Sequence, residues 1–147
     1  MAKSGFTKTP SADAVSKYLG KSNIEVGILR NAPAYPDGTS VVKVANYLEH
    51  GGDGGNPPAY HWLRRSMGKD ADFYKKQIIQ VLKKVNSARE SMMHALGKKA
   101  VDKIQTHIEK NDIGMKSNAP STQRRKGGNS PMIDTQHLIR SIDYRVD

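Results

Sequence analysis

The chain carries five histidines, His50, His61, His94, His107 and His137, and no cysteine. No two of the histidines stand in a His-x-His or His-Glu-x-x-His spacing, the arrangements that bring two imidazoles to one metal ion. Glu49 and His50 are neighbours, and on a helix neighbours point about 100° apart, so they do not close on a single ion. The missing cysteines remove thiolate metal sites, a thiol nucleophile and a disulfide framework together. No Gly-x-Ser-x-Gly elbow presents a serine for attack. Asp134 and His137 stand i, i+3 at a helix start, where an aspartate ordinarily caps rather than shares a proton. Asp37, Glu49 and Asp53 fall on or beside loops, away from the apolar runs that shape a general acid. The expectation is a chain with no catalytic set, no metal ion and no cofactor.

Two stretches have binding chemistry. Gly51-Gly52-Asp53-Gly54-Gly55 has the composition of a phosphate-cradling loop, but not the Gly-x-x-x-x-Gly-Lys-Ser/Thr spacing, and it follows a helical pattern instead of a strand. It reads as a mobile linker or docking loop. Arg124-Arg125-Lys126 beside Gly127-Gly128 is the stronger signal, because flexible glycines let three cations follow a phosphate backbone. No aromatic residue is interleaved for base stacking, and neither a zinc-finger nor an RNA-recognition signature is present. The cluster therefore suits non-specific contact with duplex DNA, or an acidic protein partner.

These residues must be positioned by a chain of 147 residues, enough for one domain with a core. Hydrophobic residues make up 36% and aromatics 6%, which predicts a lean core. Net charge is +10, from 24 basic and 14 acidic residues, and the excess is concentrated in residues 61–110. A balance of this kind points to nucleic acid or an acidic protein as partner, or to a solvated helix surface. No apolar run approaches the roughly 20 residues of a membrane span, and Met1–Pro10 has no leader pattern, so assembly in the cytoplasm is expected.

Met1–Pro10 is polar and basic and reads as a flexible arm; residues 11–147 read as a single domain. Ser11 caps a short helix over Ala12–Leu19, stopped by Gly20. Ile24, Val26 and Ile28 alternate in a strand. The loop Asn31–Thr39 holds a Pro36-Asp37-Gly38 turn. Thr39 or Ser40 then caps a helix with Val41, Val44, Ala45 and Leu48 on one face and Gly51 at its end. Pro57-Pro58 leads to the aromatic group Tyr60, His61 and Trp62. Residues 58–67 are ambiguous, at most two helical turns, with Gly68 as the break.

Asp70–Val85 predicts a helix with Phe73 or Tyr74, then Ile78, Val81, Leu82 and Val85 on one stripe. Ala88–Lys110 predicts a second, with Met92, Leu96, Ala100, Ile104 and Ile108 each at i+4, and Asn86-Ser87 as a weak break between them. The two cover a small sheet or pack on each other. After a loop at Asn111–Asn118 and a capping turn at Ser121, Asp134-Thr135 caps a short helix over Gln136–Arg140. Ile142, Tyr144 and Val146 alternate in a closing strand. The expected core is Val26, Ile28, Val44, Leu48, Ile78, Leu82, Leu96, Ile104 and Ile142.

Two stretches taken together resemble a known family. The first holds Val26-Gly27-Ile28-Leu29, Tyr35-Pro36-Asp37-Gly38-Thr39, Val44-Ala45-Asn46-Tyr47-Leu48-Glu49-His50-Gly51 and Pro57-Pro58-Ala59-Tyr60. The second holds Arg125-Lys126-Gly127 and Pro131-Met132-Ile133-Asp134-Thr135-Gln136-His137-Leu138-Ile139-Arg140-Ser141-Ile142. In order and spacing they resemble the neck or tail-completion proteins of long-tailed bacteriophages, also described as minor tail or virion-morphogenesis proteins. Ala59-Tyr60-His61-Trp62 stands where that family usually has Arg-Pro-Phe, and Gln136 where it usually has glycine.

The resemblance implies an α+β fold, a small and mostly antiparallel sheet packed by two long helices plus short ones, with projecting Gly/Pro-rich loops. It implies a structural virion protein and no enzyme: a homo-oligomeric ring, hexamer or dodecamer, at the head–tail junction as neck, tail-completion or tail-terminator subunit. Its partners would be the adjoining portal or adaptor ring, the tail tube or terminator proteins, and double-stranded DNA in the channel, with no membrane. Ring and partner contacts would fall on Tyr35, Asp37, Gly38, Glu49, His50, Asp53, Tyr60 and Trp62. Arg124, Arg125 and Lys126 would meet DNA or an acidic partner. The loops Asn31–Thr39 and Gly51–Pro57 flank one short helix and are expected to project from the same end of it. The alternative is a small, basic, non-specific DNA-binding protein.

Overall fold

A computed structural model of the chain describes residues 22–116 and 136–147. The expected N-terminal arm, the helix over Ala12–Leu19, the turn at Ser121, the basic cluster Arg124–Lys126 and the Asp134-Thr135 cap lie outside the described residues.

Strand β1 (Ile24–Ile28) and strand β2 (Ile142–Val146) pair antiparallel, with Ile24 opposite Val146, Val26 opposite Tyr144 and Ile28 opposite Ile142. Because side chains alternate, this register puts the apolar residues of both strands on one face. Glu25 and Arg145 lie opposite each other on the other face and form an ion pair at 2.8 Å. Asn23 and Asp147 exchange both backbone hydrogen bonds and lengthen the ribbon. A two-stranded ribbon is marginal by itself, and its apolar face lies against the longest helix.

Helix α1 (Val41–His50) starts at Ser40, whose hydroxyl accepts from the Lys43 N–H, and ends at Gly51, whose φ of 90° suits glycine. A single 3₁₀ turn (Asp53–Gly55) follows, then α2 (Trp62–Lys69), α3 (Ala71–Leu82), α4 (Asn86–Lys110), and, before β2, the short α5 (His137–Arg140). The structure is α+β, as expected. Among the described residues only α4, of 25 residues, is a long helix, against the two expected; α3 has 12. Gly68 does not interrupt α2, which runs to Lys69 and turns at Asp70. Residues 83–85 leave the helix, so α3 stops short of Val85, and the weak break at Asn86-Ser87 is the first turn of α4.

The core has two parts. The larger joins Val41 and Ala45 of α1, Tyr60, Trp62, Ile104 and Ile108 of α4, Ile113, Met115, Leu138 and Ile139 of α5, and Ile142. The smaller joins Tyr74 and Val81 of α3 to Met93, Leu96 and Ala100 of α4, with Ile24 and Val146 against it. Leu96, Ile104 and Ile142 are buried as expected, while Val26, Ile28, Val44 and Leu48 are half-buried at the core's margin. Ile78 and Leu82 are not core residues: 46% and 37% of their surface is exposed. The apolar stripe of α3 is wide, and only the edge carrying Tyr74 and Val81 meets α4.

The ribbon approaches α4 closely at one point. A Cβ on Gly97 would overlap the ring of Tyr144, so glycine is what lets the strand's aromatic ring rest on the helix backbone.

Candidate functional site

The Tyr35-Pro36-Asp37-Gly38-Thr39 segment closes on itself. The Gly38 N–H donates to the Tyr35 carbonyl at 2.8 Å, and the Tyr35 N–H donates to the Thr39 carbonyl at 2.9 Å. The Thr39 N–H also donates to the Asp37 carboxylate at 2.9 Å, and that bond holds the Asp37 carboxyl below its ordinary value. Gly38 has φ 84°, the conformation this tight turn requires. The turn is fastened to α5: the Tyr35 and His137 ring centroids are 4.8 Å apart, and His137 Nε2 lies 3.0 Å from the Pro33 carbonyl. Asp37 and Gly38 remain exposed at its tip, and Tyr35 is half-buried beneath.

At the other end of α1 the expected contact residues divide. Trp62 is 2% exposed, and its indole N–H donates to the Ala45 carbonyl at 3.1 Å. Tyr60 is buried beside it, its backbone N–H bonded to the Leu48 carbonyl. Burial raises the Tyr60 phenol above its ordinary value. Glu49 is buried as well. Its two carboxylate oxygens accept from the Leu63 N–H at 2.8 Å and the Arg64 N–H at 3.3 Å, which caps α2 from a distance. This cap is needed because His61 enters α2 with φ 52° and no side-chain cap of its own. Glu49, Tyr60 and Trp62 therefore have internal work and no surface to offer a neighbour. The apolar size of the two aromatics drives them inward, and the carboxylate follows two unpaired N–H groups.

His50 and Asp53 are exposed. The glycine loop around Asp53 has structure of its own. The Gly52 N–H donates to the Pro57 carbonyl at 2.9 Å, the Gly55 N–H donates to the Gly52 carbonyl at 3.0 Å, and the Asn56–Pro57 peptide is cis. The two decorated loops do not share an end of α1. One enters its N-terminus and the other leaves its C-terminus, separated by the length of ten residues, about 15 Å.

The densest set of ionisable groups lies elsewhere. His107, on α4 and mostly buried, has Nε2 2.6 Å from Asp70 Oδ2 and Nδ1 2.7 Å from Asp112 Oδ1. Lys103 pairs with the second Asp70 oxygen at 3.3 Å, and Lys69 with the second Asp112 oxygen at 3.3 Å. Asp70 sits at the turn between α2 and α3. Asp112 is returned towards α4 by Asn111, which ends that helix with φ 47° and whose side-chain amide exchanges hydrogen bonds with the Met115 backbone. Burial pushes both carboxyls up, but hydrogen bonds from His107, with Lys103 for Asp70 and Lys69 for Asp112, outweigh it and leave both below their ordinary value.

With a carboxylate at each nitrogen, the ring satisfies both contacts when it carries both protons. Both positions where it would meet a substrate or a metal ion are thus occupied. The arrangement works as a clasp that ties the α2–α3 turn and the loop after α4 to α4. Among the described residues no group of three histidine or acidic side chains is placed to hold a metal ion. The sequence holds no spacing signal for this clasp, since Asp70 and His107 are 37 residues apart. Only the i, i+5 pair across the helix end was available to find half of it.

Tyr74, beside Asp70, is buried with its hydroxyl unpartnered. Burial and then the Asp70 charge push its phenol up to about 12. Of the eight expected contact residues, the structure leaves Asp37, Gly38, His50 and Asp53 exposed, in two groups. Family models, curated proteins and solved structures contain no match to this chain.

Proposed function

We propose that the chain is a structural subunit of the head–tail junction of a long-tailed bacteriophage, a neck or tail-completion protein that forms a ring joining the tail to the DNA-filled head. One observation carries this reading. The two stretches that bear the resemblance lie far apart in sequence, yet their described parts lie side by side. Ile28 of the first stretch pairs with Ile142 of the second at one end of the ribbon, and the Tyr35 turn rests on His137. Motifs that meet in space are what a shared fold would produce, and chance matches have no reason to meet.

The placement of the exposed residues supports the same reading. Asp37 and Gly38 at one end of α1, and His50 and Asp53 at the other, give the subunit two separate polar surfaces. A ring built by head-to-tail repetition needs two different surfaces on each subunit. Its rigid part is the core between them, and its loops are the adaptable part.

Electron microscopy of the purified protein, and of virions assembled without it, tests the proposal. Closed rings, with tailless heads beside loose tails in the deficient preparation, are the expected result. A monomer that coats duplex DNA in a salt-sensitive manner and forms no ring would replace this reading with the small basic DNA-binding protein.

A further inference from the structure

Helix α3 presents an apolar strip that no described residue covers. Ile78, Ile79 and Leu82 are 46%, 52% and 37% exposed, and Val85 just past the helix is 65% exposed. Ile78 and Leu82 follow at i and i+4 on one face of the helix with Ile79 beside them, and Val85 extends the strip from the extended segment just beyond. The strip is held firmly from behind, where Tyr74 and Val81 of the same helix are buried against Met93, Leu96 and Ala100. Lys75, Lys76, Lys83 and Lys84 surround it and are exposed. Only Lys75 has a carboxylate nearby, Asp72 at 3.8 Å, and Lys76, Lys83 and Lys84 have no ion pair among the described residues.

We propose that this face docks an acidic amphipathic helix of another protein. The charge pattern chooses the occupant. A second copy of the same face would set lysines against lysines, and like charges across an interface are costly. An acidic helix would place its apolar anchors on Ile78, Ile79, Leu82 and Val85 and its carboxylates opposite the four lysines. A bilayer surface suits the strip less well. Membrane-surface helices sink a broad apolar face roughly 5–10 Å into the headgroup region, whereas Tyr74 and Val81 of α3 are buried against α4 and leave only the strip at Ile78, Ile79 and Leu82 exposed. The inference stands on α3 alone and does not depend on the ring reading.

The test uses the full chain and a synthetic helical peptide with leucines at i, i+3, i+4 and i+7 and glutamates on the flanks, followed by fluorescence anisotropy. Saturable binding that weakens as salt rises is expected. Affinity should fall about tenfold or more in Ile78→Ser/Ile79→Ser, and likewise in Lys76→Glu/Lys83→Glu. The lysine variant changes only exposed charge, so it keeps the test decisive if the isoleucine variant folds poorly. Equal binding of a lysine-flanked peptide, no saturable binding, or binding untouched by the lysine variant would each overturn the proposal. So would self-association in sedimentation that is lost with Lys76→Glu/Lys83→Glu, or strong binding to phosphatidylglycerol vesicles with none to the peptide. Peptide binding that emerges only when residues 1–21 are removed would assign the face to the chain's own N-terminal segment instead.

Discussion

The two parts of the core are built differently although both rest on α4. Eleven buried residues, among them Ile104 and Ile108 with no exposed surface, converge from α1, the approach to α2, α2, α4, α5, β2 and the loop after α4. Around Leu96 only five do, and they come from α3 and α4 alone. The first part is closed on every side, because elements distant in sequence are brought to it. The second is a helix pair with the ribbon's edge against it, and it leaves the outer edge of α3 in solvent. Burial in the first part serves stability, and apolar surface left over in the second serves binding.

The largest expected effect separates the two regions. Ile104→Ala should cost about 2–5 kcal/mol, since a fully buried side chain is lost and a cavity remains, whereas Ile78→Ala should change stability by no more than about 0.5 kcal/mol. Urea denaturation of both variants measures the contrast, and equal losses would dissolve it.

Next in size is Gly97→Ala, which forces a methyl group into the Tyr144 ring. A loss of about 1–3 kcal/mol is expected. Combining it with Tyr144→Ala should recover most of the added cost in a double-mutant cycle. If the two changes simply add, the close approach of ribbon and helix is not what requires glycine at that position.

Glu49→Ala removes the remote cap of α2 and should cost about 0.5–2 kcal/mol. His50→Ala, one residue on and exposed, should leave melting unchanged. A matching loss in both would mean that the buried carboxylate has no special role.

Smaller again is the acid response of the clasp, since 35% of the Asp112 side chain is exposed. Asp70 and Asp112 both have folded-state values below 3.8. Their contribution is therefore present above the unfolded carboxyl range and is lost as pH falls through the lower folded values. In His107→Gln, which removes the main partner of both, the fall in stability between about pH 5 and the acid limit should be shallower than in the native chain. Parallel pH–stability curves would show that the ring does not couple the two carboxylates.

The sequence by itself determined the local elements, because their cause is local. Ile24, Val26 and Ile28, like Ile142, Tyr144 and Val146, reveal a strand through alternation alone. Thr39-Ser40 and Gly51 mark the ends of α1, and the i+4 run from Met92 to Ile108 marks the long helix. The polar turn at Asp37 and Gly38 was equally legible, since its hydrogen bonds run between near neighbours.

Tertiary structure decided everything that depends on what lies opposite. Periodicity shows that α3 has an apolar stripe, but not that only its Tyr74–Val81 edge would be covered while Ile78 and Leu82 stayed in water. Tyr60 and Trp62 look like an exposed aromatic cluster in the chain, and only their burial against α1, with the Trp62 indole bonded to the Ala45 carbonyl, shows that they face inward. The meeting of Asp70, His107 and Asp112 is less legible still. A hydrogen bond needs its partners within about 3 Å, and no spacing in the sequence sets a distance that is closed by the turn at Asp70 and the left-handed Asn111.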